Sequence, residues 1–201
     1  MKNNYKDFNW TPIINWESGG KEYYEKYLNK FTWPGGASGP TIMIGIDCGY
    51  YTKQELGQIF SFLPPSQQEL IKNASGKTGP AGKAYISTLK GITVNWDKAI
   101  EVFENFTLPK FYNLTIKTWP GVENLCENAQ VALTSIIFNR GSSLKGDSRR
   151  EMRAIIPLVA EKDYNAIAEQ IIAMKRIWQG KGLDGLLKRR DEEAKLIKTC
   201  S

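Results

Sequence analysis

One segment limits the fold of this chain more than any other: residues 128–138, NAQVALTSIIF, are apolar nearly all round a helical wheel, interrupted chiefly by small hydroxyls. A helix with no water-facing side has to be enclosed by other helices. The segment is therefore expected to be the buried central helix of a larger helical lobe, ending at Asn139-Arg140-Gly141. With 201 residues and 41% hydrophobic content, the chain is long enough for one real core, so a single domain in two lobes is expected.

The rest of the pattern fills in around that helix. Thr11-Pro12 opens a short helix and Gly19-Gly20 stops it, which places Glu17 at its end. A Trp, Pro and Gly loop, residues 32–40, leads into residues 41–47 (TIMIGID), which are β-branched and read as the main strand. Helical signals then take over. Thr52 with Glu55 and Ser66 with Glu69 have capping-box spacing, and Pro64-Pro65 separates the two helices. Residues 73–83 hold three glycines and a proline and read as a mobile loop, followed by an amphipathic helix through Ala99, Val102, Phe103 and Phe106. Helices are also expected over about 148–160 and 163–178, then a glycine-rich turn and a charged terminal helix, LLKRRDEEAKLI. The fold class is thus α+β and mostly helical, with a small lobe carrying a short hairpin or sheet (about 11–60) and a helical lobe (about 61–201).

Composition narrows the chemistry. There is no histidine, which removes Ser-His-Asp and Cys-His nucleophiles and ordinary His-rich zinc sites, and moves any catalysis towards carboxylates. Cys48, Cys126 and Cys200 are an odd number at wide spacing and read as buried free thiols; no metal or other cofactor is implied. A formal charge of +6 favours anionic partners: nucleic acid, anionic lipid or the polymers of a bacterial envelope. The basic residues are scattered and no nucleic-acid module is found, so no nucleic-acid partner is expected. No apolar run approaches a membrane span and no signal peptide is readable. Ser75-Gly76-Lys77-Thr78 ends like a phosphate-binding loop, but the earlier glycine would fall at Ile71 and no strand precedes it, so it reads as an exposed loop.

Three motifs in order then carry a resemblance. Glu17 at a helix end is followed by the aromatic glycine loop and Thr41-Ile42-Met43-Ile44-Gly45; ALTSIIFNRG runs from Ala132 to Gly141; GLLKRRDEEA runs from Gly185 to Ala194. Together they resemble the phage-type lysozyme and endolysin (muramidase) superfamily of glycoside hydrolases. The resemblance spans about residues 11–198, with 53–120 matching in helical character only.

It implies a lysozyme-like fold and hydrolysis of the β-1,4 bond between N-acetylmuramic acid and N-acetylglucosamine in peptidoglycan. Glu17 would be the catalytic acid, Thr41 a water-positioning hydroxyl, Phe138 and Asn139 substrate contacts. A basic side chain among Lys188, Arg189 and Arg190 would support the acid. The residues themselves allow plainer roles: β propensity for Thr41, core packing for Phe138, a helix cap for Asn139, and a solvated face paired with Glu192 and Glu193 for the arginines.

A proton donor needs a counterpart on the opposite face of the sugar. The family pattern has an Asp or Cys a few residues before the Thr, whereas residues 29–40 contain neither. Asp47 is the best replacement, with a strand-end turn as its plain alternative; Glu22 and Glu25 are weaker choices, and Ser38 is a further candidate for positioning water. If the family mechanism holds, the reaction inverts, with carboxyls about 6.5–9.5 Å apart. Trp33 and Tyr50 are placed to stack on sugars or to sit in the core. The missing acid keeps a lytic transglycosylase open, and a non-catalytic wall-binding module is the alternative from another class. The expected partner is bacterial peptidoglycan, with an immunity protein if the chain is a toxin. A monomer made in the cytoplasm is expected, reaching the periplasm or wall by holin-type release or injection.

Overall fold

The computed structural model describes residues 4–200 and is mainly helical. In chain order the elements are α1 (Thr11–Ser18), α2 (Lys21–Tyr23), β1 (Thr41–Ile42), β2 (Ile46–Asp47), α3 (Lys53–Ile59), α4 (Pro65–Lys72) and α5 (Gly79–Tyr85). They continue with α6 (Trp96–Val102), α7 (Leu108–Thr118), α8 (Glu127–Arg140), α9 (Arg150–Glu161), α10 (Tyr164–Ala173) and α11 (Asp184–Ile197). A mostly helical α+β fold with one small sheet is therefore what the chain adopts. Among the described residues, no helix is long and apolar enough to cross a membrane.

Two compact units are present. Among the described residues, the first comprises those up to Ile13 and from Pro109 onward, and the second is Ile14–Leu108. Residues 61–108 therefore pack with the hairpin, where the sequence pattern had drawn the smaller lobe only to about residue 60. The reason lies in the core of the second unit, where Ile71, Leu89, Ile92, Val94, Ala99 and Val102 join Ile42, Met43 and Ile46 in one buried cluster.

In the first unit α8 is the central element. Every residue from Ala129 to Ile137 is buried, and Ala129, Ala132, Leu133, Ile136 and Ile137 join Met152, Ile155, Ile167, Ile171, Ala194 and Ile197 of α9, α10 and α11 in one core. Cys126 and Cys200 form a disulfide that ties the residue before α8 to the end of the chain, correcting the expectation of free thiols; the separation of 74 residues carries no local signature that could announce it. Cys48 is free and buried, and burial, with Asp47 beside it, pushes its thiol well above the usual range. Closing so long a loop restricts the unfolded chain, so reduction is expected to lower unfolding free energy by about 2–4 kcal/mol. Urea titrations with and without reductant measure this, and Cys200→Ser should lose the difference.

The second unit is built on backbone detail that the periodicity did not resolve. Residues 41–47 are two strands of a hairpin rather than one strand, with Thr41 opposite Asp47 and Ile42 opposite Ile46. Met43 (φ 57°) and Gly45 (φ 76°) make the three-residue turn between them. The Thr52–Glu55 capping box forms in full. Ser66 caps nothing, because Pro65 already serves as the first residue of α4. The segment expected to be a mobile loop instead turns into α5, with Pro80 in the first turn where its missing N–H costs nothing.

Candidate functional site

Glu17 is the penultimate residue of α1 and is half-buried, with its Oε1 shielded from solvent. Thr11 begins the helix rather than capping it, since its N–H donates to Asn9 Oδ1 at 3.1 Å. The other end is tied off locally. Ser18 donates its hydroxyl to the Ile14 carbonyl (2.6 Å), the Gly20 N–H donates to Ser18 Oγ (3.1 Å), and Gly19 N–H closes the last turn on Asn15 (2.9 Å). Ile14 is buried and Trp16 half-buried. These bonds fix the backbone that carries the carboxyl, so Glu17 projects from a rigid helix end.

Ser38, Thr41 and Asp47 come together in the same unit. Thr41 is half-buried and pairs through both backbone groups with Thr32 (2.8 and 2.9 Å), while its hydroxyl donates to the Gly39 carbonyl at 3.1 Å. Asp47 accepts the Gly39 N–H at both carboxylate oxygens and the Gly49 N–H at Oδ1. The Ser38 carbonyl accepts Trp33 Nε1 (2.8 Å) and Gly79 N–H (3.0 Å). Trp33 is thus half-buried and braces the loop, whereas Tyr50 is 63% exposed and donates its hydroxyl to Ala37. Glu22 and Glu25 are exposed, the latter 3.9 Å from Lys21.

The Ser75-Gly76-Lys77-Thr78 stretch is not an exposed loop: Ser75 donates to Tyr51, and the Lys77 carbonyl packs against Gly39 and Gly49. Among the described residues, no group of His, Cys, Asp or Glu is arranged to hold a metal.

The first unit holds the remaining candidates. Phe138 is half-buried and its ring lies 4.3 Å from that of Phe111. Asn139 lies inside α8, and Gly141, not Asn139, is the cap. Arg189 and Arg190 are not on a solvated face. They are 6% and 0% exposed, because residues 189, 190, 193, 194 and 197 form the buried side of α11, while Lys188 and Glu192 pair on the solvent side at 3.8 Å.

Glu193, itself fully buried, accepts Arg190 Nη2 at 2.7 Å and Arg189 Nε at 3.2 Å. Ser135 of α8 donates its hydroxyl to the same carboxylate and accepts Arg189 at its Oγ and carbonyl. Burial pushes the Glu193 carboxyl up, and Arg190, Arg189 and Ser135 oppose that push. From sequence Glu193 is only a solvated partner for the arginines, Ser135 only a member of a motif, and Gly39 one glycine of a loop.

A family model described as phage lysozyme matches residues 76–193, more than half of the chain. No curated protein matches it. The matched stretch takes in α8 with Ser135 and the buried Arg189, Arg190 and Glu193 of α11; Glu17, Ser38, Thr41 and Asp47 precede it. With that match over a helical fold organised round α8, the chain belongs to the phage lysozyme family, whose work is the breakdown of peptidoglycan.

Proposed function

We infer that the chain is a muramidase that hydrolyses the β-1,4 bond between N-acetylmuramic acid and N-acetylglucosamine, with Glu17 as proton donor and Thr41 holding the attacking water. The observation that carries this reading is Glu17 itself: a half-buried carboxyl, one oxygen shielded, on a backbone fixed at the end of the first helix, in a chain of the phage lysozyme family. Glycoside cleavage needs a proton delivered to the leaving oxygen, and a carboxyl drawn partly out of water on a rigid support suits that task. Asp47 faces Thr41 across the two-strand ladder, so carboxylate and hydroxyl belong to one structural unit of the site. Ser38, and Phe138 and Asn139 at the end of α8, are assigned to hold the glycan, each to be tested by its own substitution. The enzyme acts in the periplasm or cell wall, without a cofactor.

A specific observation favours a second reading. Residues 29–40 contain no acid, and both Asp47 oxygens are already engaged by backbone amides. A lytic transglycosylase needs only one acid, because a hydroxyl of the sugar itself attacks. Digestion of purified sacculi decides between the two: new reducing ends support hydrolysis, and anhydro ends support the transglycosylase. Glu17→Gln, assayed by loss of turbidity of the same sacculi, tests what both readings share.

A further inference from the structure

Gly39 is held from both sides. Its N–H donates to Asp47 at 3.0 Å (Oδ1) and 3.1 Å (Oδ2), and its carbonyl accepts the Thr41 hydroxyl at 3.1 Å. The same Asp47 Oδ1 accepts the Gly49 N–H at 3.0 Å. Because Thr41 and Asp47 are directly opposed in the ladder, their side chains lie on one face of the hairpin and reach the Gly39 residue together.

The junction leaves no slack. A Cβ on Gly39 would stand 2.6 Å from the Lys77 carbonyl and 2.7 Å from Asp47 Oδ1. One on Gly82 would stand 2.9 Å from both Gly39 Cα and the Lys77 carbonyl. Close backbone approach of this kind is possible only without side chains.

A hydroxyl has one proton to give and two sites that accept. With its proton committed to the Gly39 carbonyl, Thr41 has only acceptor capacity left to offer a further partner. An attacking water is oriented by groups that accept its protons, which leaves its own lone pair for the sugar carbon. Thr41 is in that state because the Gly39 carbonyl is where it is, and the Gly39 peptide is where it is because Asp47 holds its N–H.

We propose that Asp47 is a positioning residue, whose carboxylate fixes the Gly39 peptide and through it sets the Thr41 hydroxyl as an acceptor for the attacking water. The assignment rests on Thr41 holding that water, as inferred above; the carboxylate takes no proton and does not touch the sugar, and the proton that the water sheds as its C–O bond forms passes to solvent.

Three variants separate this from direct catalysis. Oδ1 receives both amides and Oδ2 shares that of Gly39, so Asp47→Asn with its oxygen in the Oδ1 place keeps an acceptor for both but sets an NH2 near the Gly39 N–H, and is expected to lower kcat clearly less than Asp47→Ala, with the pH profile unmoved. Asp47→Ala loses both bonds and should lower kcat by about 10–100-fold at little change in KM. In a Thr41→Val background Asp47→Ala should cost almost nothing more, since the group it acts through is gone. The proposal fails if Asp47→Asn is as inactive as Asp47→Ala, or if Asp47→Ala costs the same factor with and without Thr41.

If Asp47→Ala does not fold, Asp47→Asn decides alone: substantial activity with an unmoved pH profile supports positioning, and its complete loss overturns it. Glu17→Gln is measured in parallel on the same sacculi. Retained lysis there would remove the Glu17 reading itself, whereas a failure confined to Asp47 leaves Glu17 in place.

Discussion

Glu17→Gln is expected to reduce sacculus lysis by about 10²–10⁴-fold, the range that a positioned general acid contributes. Gln has nearly the same size and shape as Glu but no acidic proton to give. The half-buried position and the locally tied end of α1 accept it without a cavity, so the thermal unfolding curve should stay close to that of wild type. The loss should appear in kcat with KM almost unchanged, because an interaction made only in the transition state has been removed. Sacculi should still bind the variant in a pelleting assay. A Glu17→Gln protein that lyses sacculi at near the wild-type rate would sink the assignment and, with no other variant reducing lysis, would leave a wall-binding module as the better account.

The fold was legible where one side chain pattern has one physical solution. An apolar surface all round residues 128–138 can only be a buried helix, and α8 is buried throughout its middle. Thr52 and Glu55 satisfy each other's backbone groups within four residues, so the cap could be read locally and forms as read. Reading failed where two local signals compete or where the deciding contact is distant. Pro64-Pro65 reads as a stop and Ser66 as the next cap, yet Pro65 is itself the first residue of α4, because its φ is already fixed there. Residues 41–47 alternate like a strand, but Gly45 and Met43 take positive φ and fold the segment back on itself. The disulfide joins residues 74 apart, and no pattern in either neighbourhood marks it.

The candidate site divides in the same way. The order of Glu17, the glycine loop and Thr41 was readable from sequence, since helix end, loop and strand each have local signals. What Asp47 does was not, because its partners are backbone N–H groups of Gly39 and Gly49, and every residue has a backbone amide to offer, so no residue type announces such a bond. Residues 73–83 read as a mobile loop for a related reason. Their contribution is the Lys77 carbonyl and the absence of a Cβ at Gly82, both of which gain meaning only from the chain packed against them. The arginines misled in the opposite direction: charged residues on a helix face water by default, and only the burial of Glu193 beside them reverses that expectation.

That reversal carries the second large effect. Glu193→Ala is expected to destabilise the protein by about 3–5 kcal/mol, the cost of removing one partner from a buried ion pair. Arg190 is fully buried and Arg189 nearly so, and both donate to Glu193 Oε1. Without the carboxylate, two guanidinium charges stay in the interior and lose the acceptor they share, while Ser135 and the ring of Trp178, 5.6 Å from Arg190, are neutral. Neither neutral group replaces a full negative charge at low dielectric.

At roughly 2–4 °C per kcal/mol for a chain of this size, the melting temperature should fall by about 6–20 °C. Glu193→Gln keeps the shape and an acceptor oxygen but not the charge, so its midpoint should fall between wild type and Glu193→Ala. If the Ala variant melted like wild type while Ser135→Ala did the damage, the Ser135 hydrogen bonds rather than the ion cluster would be what joins α11 to α8. An ordering of wild type above Gln above Ala would place the charge at the centre of that junction.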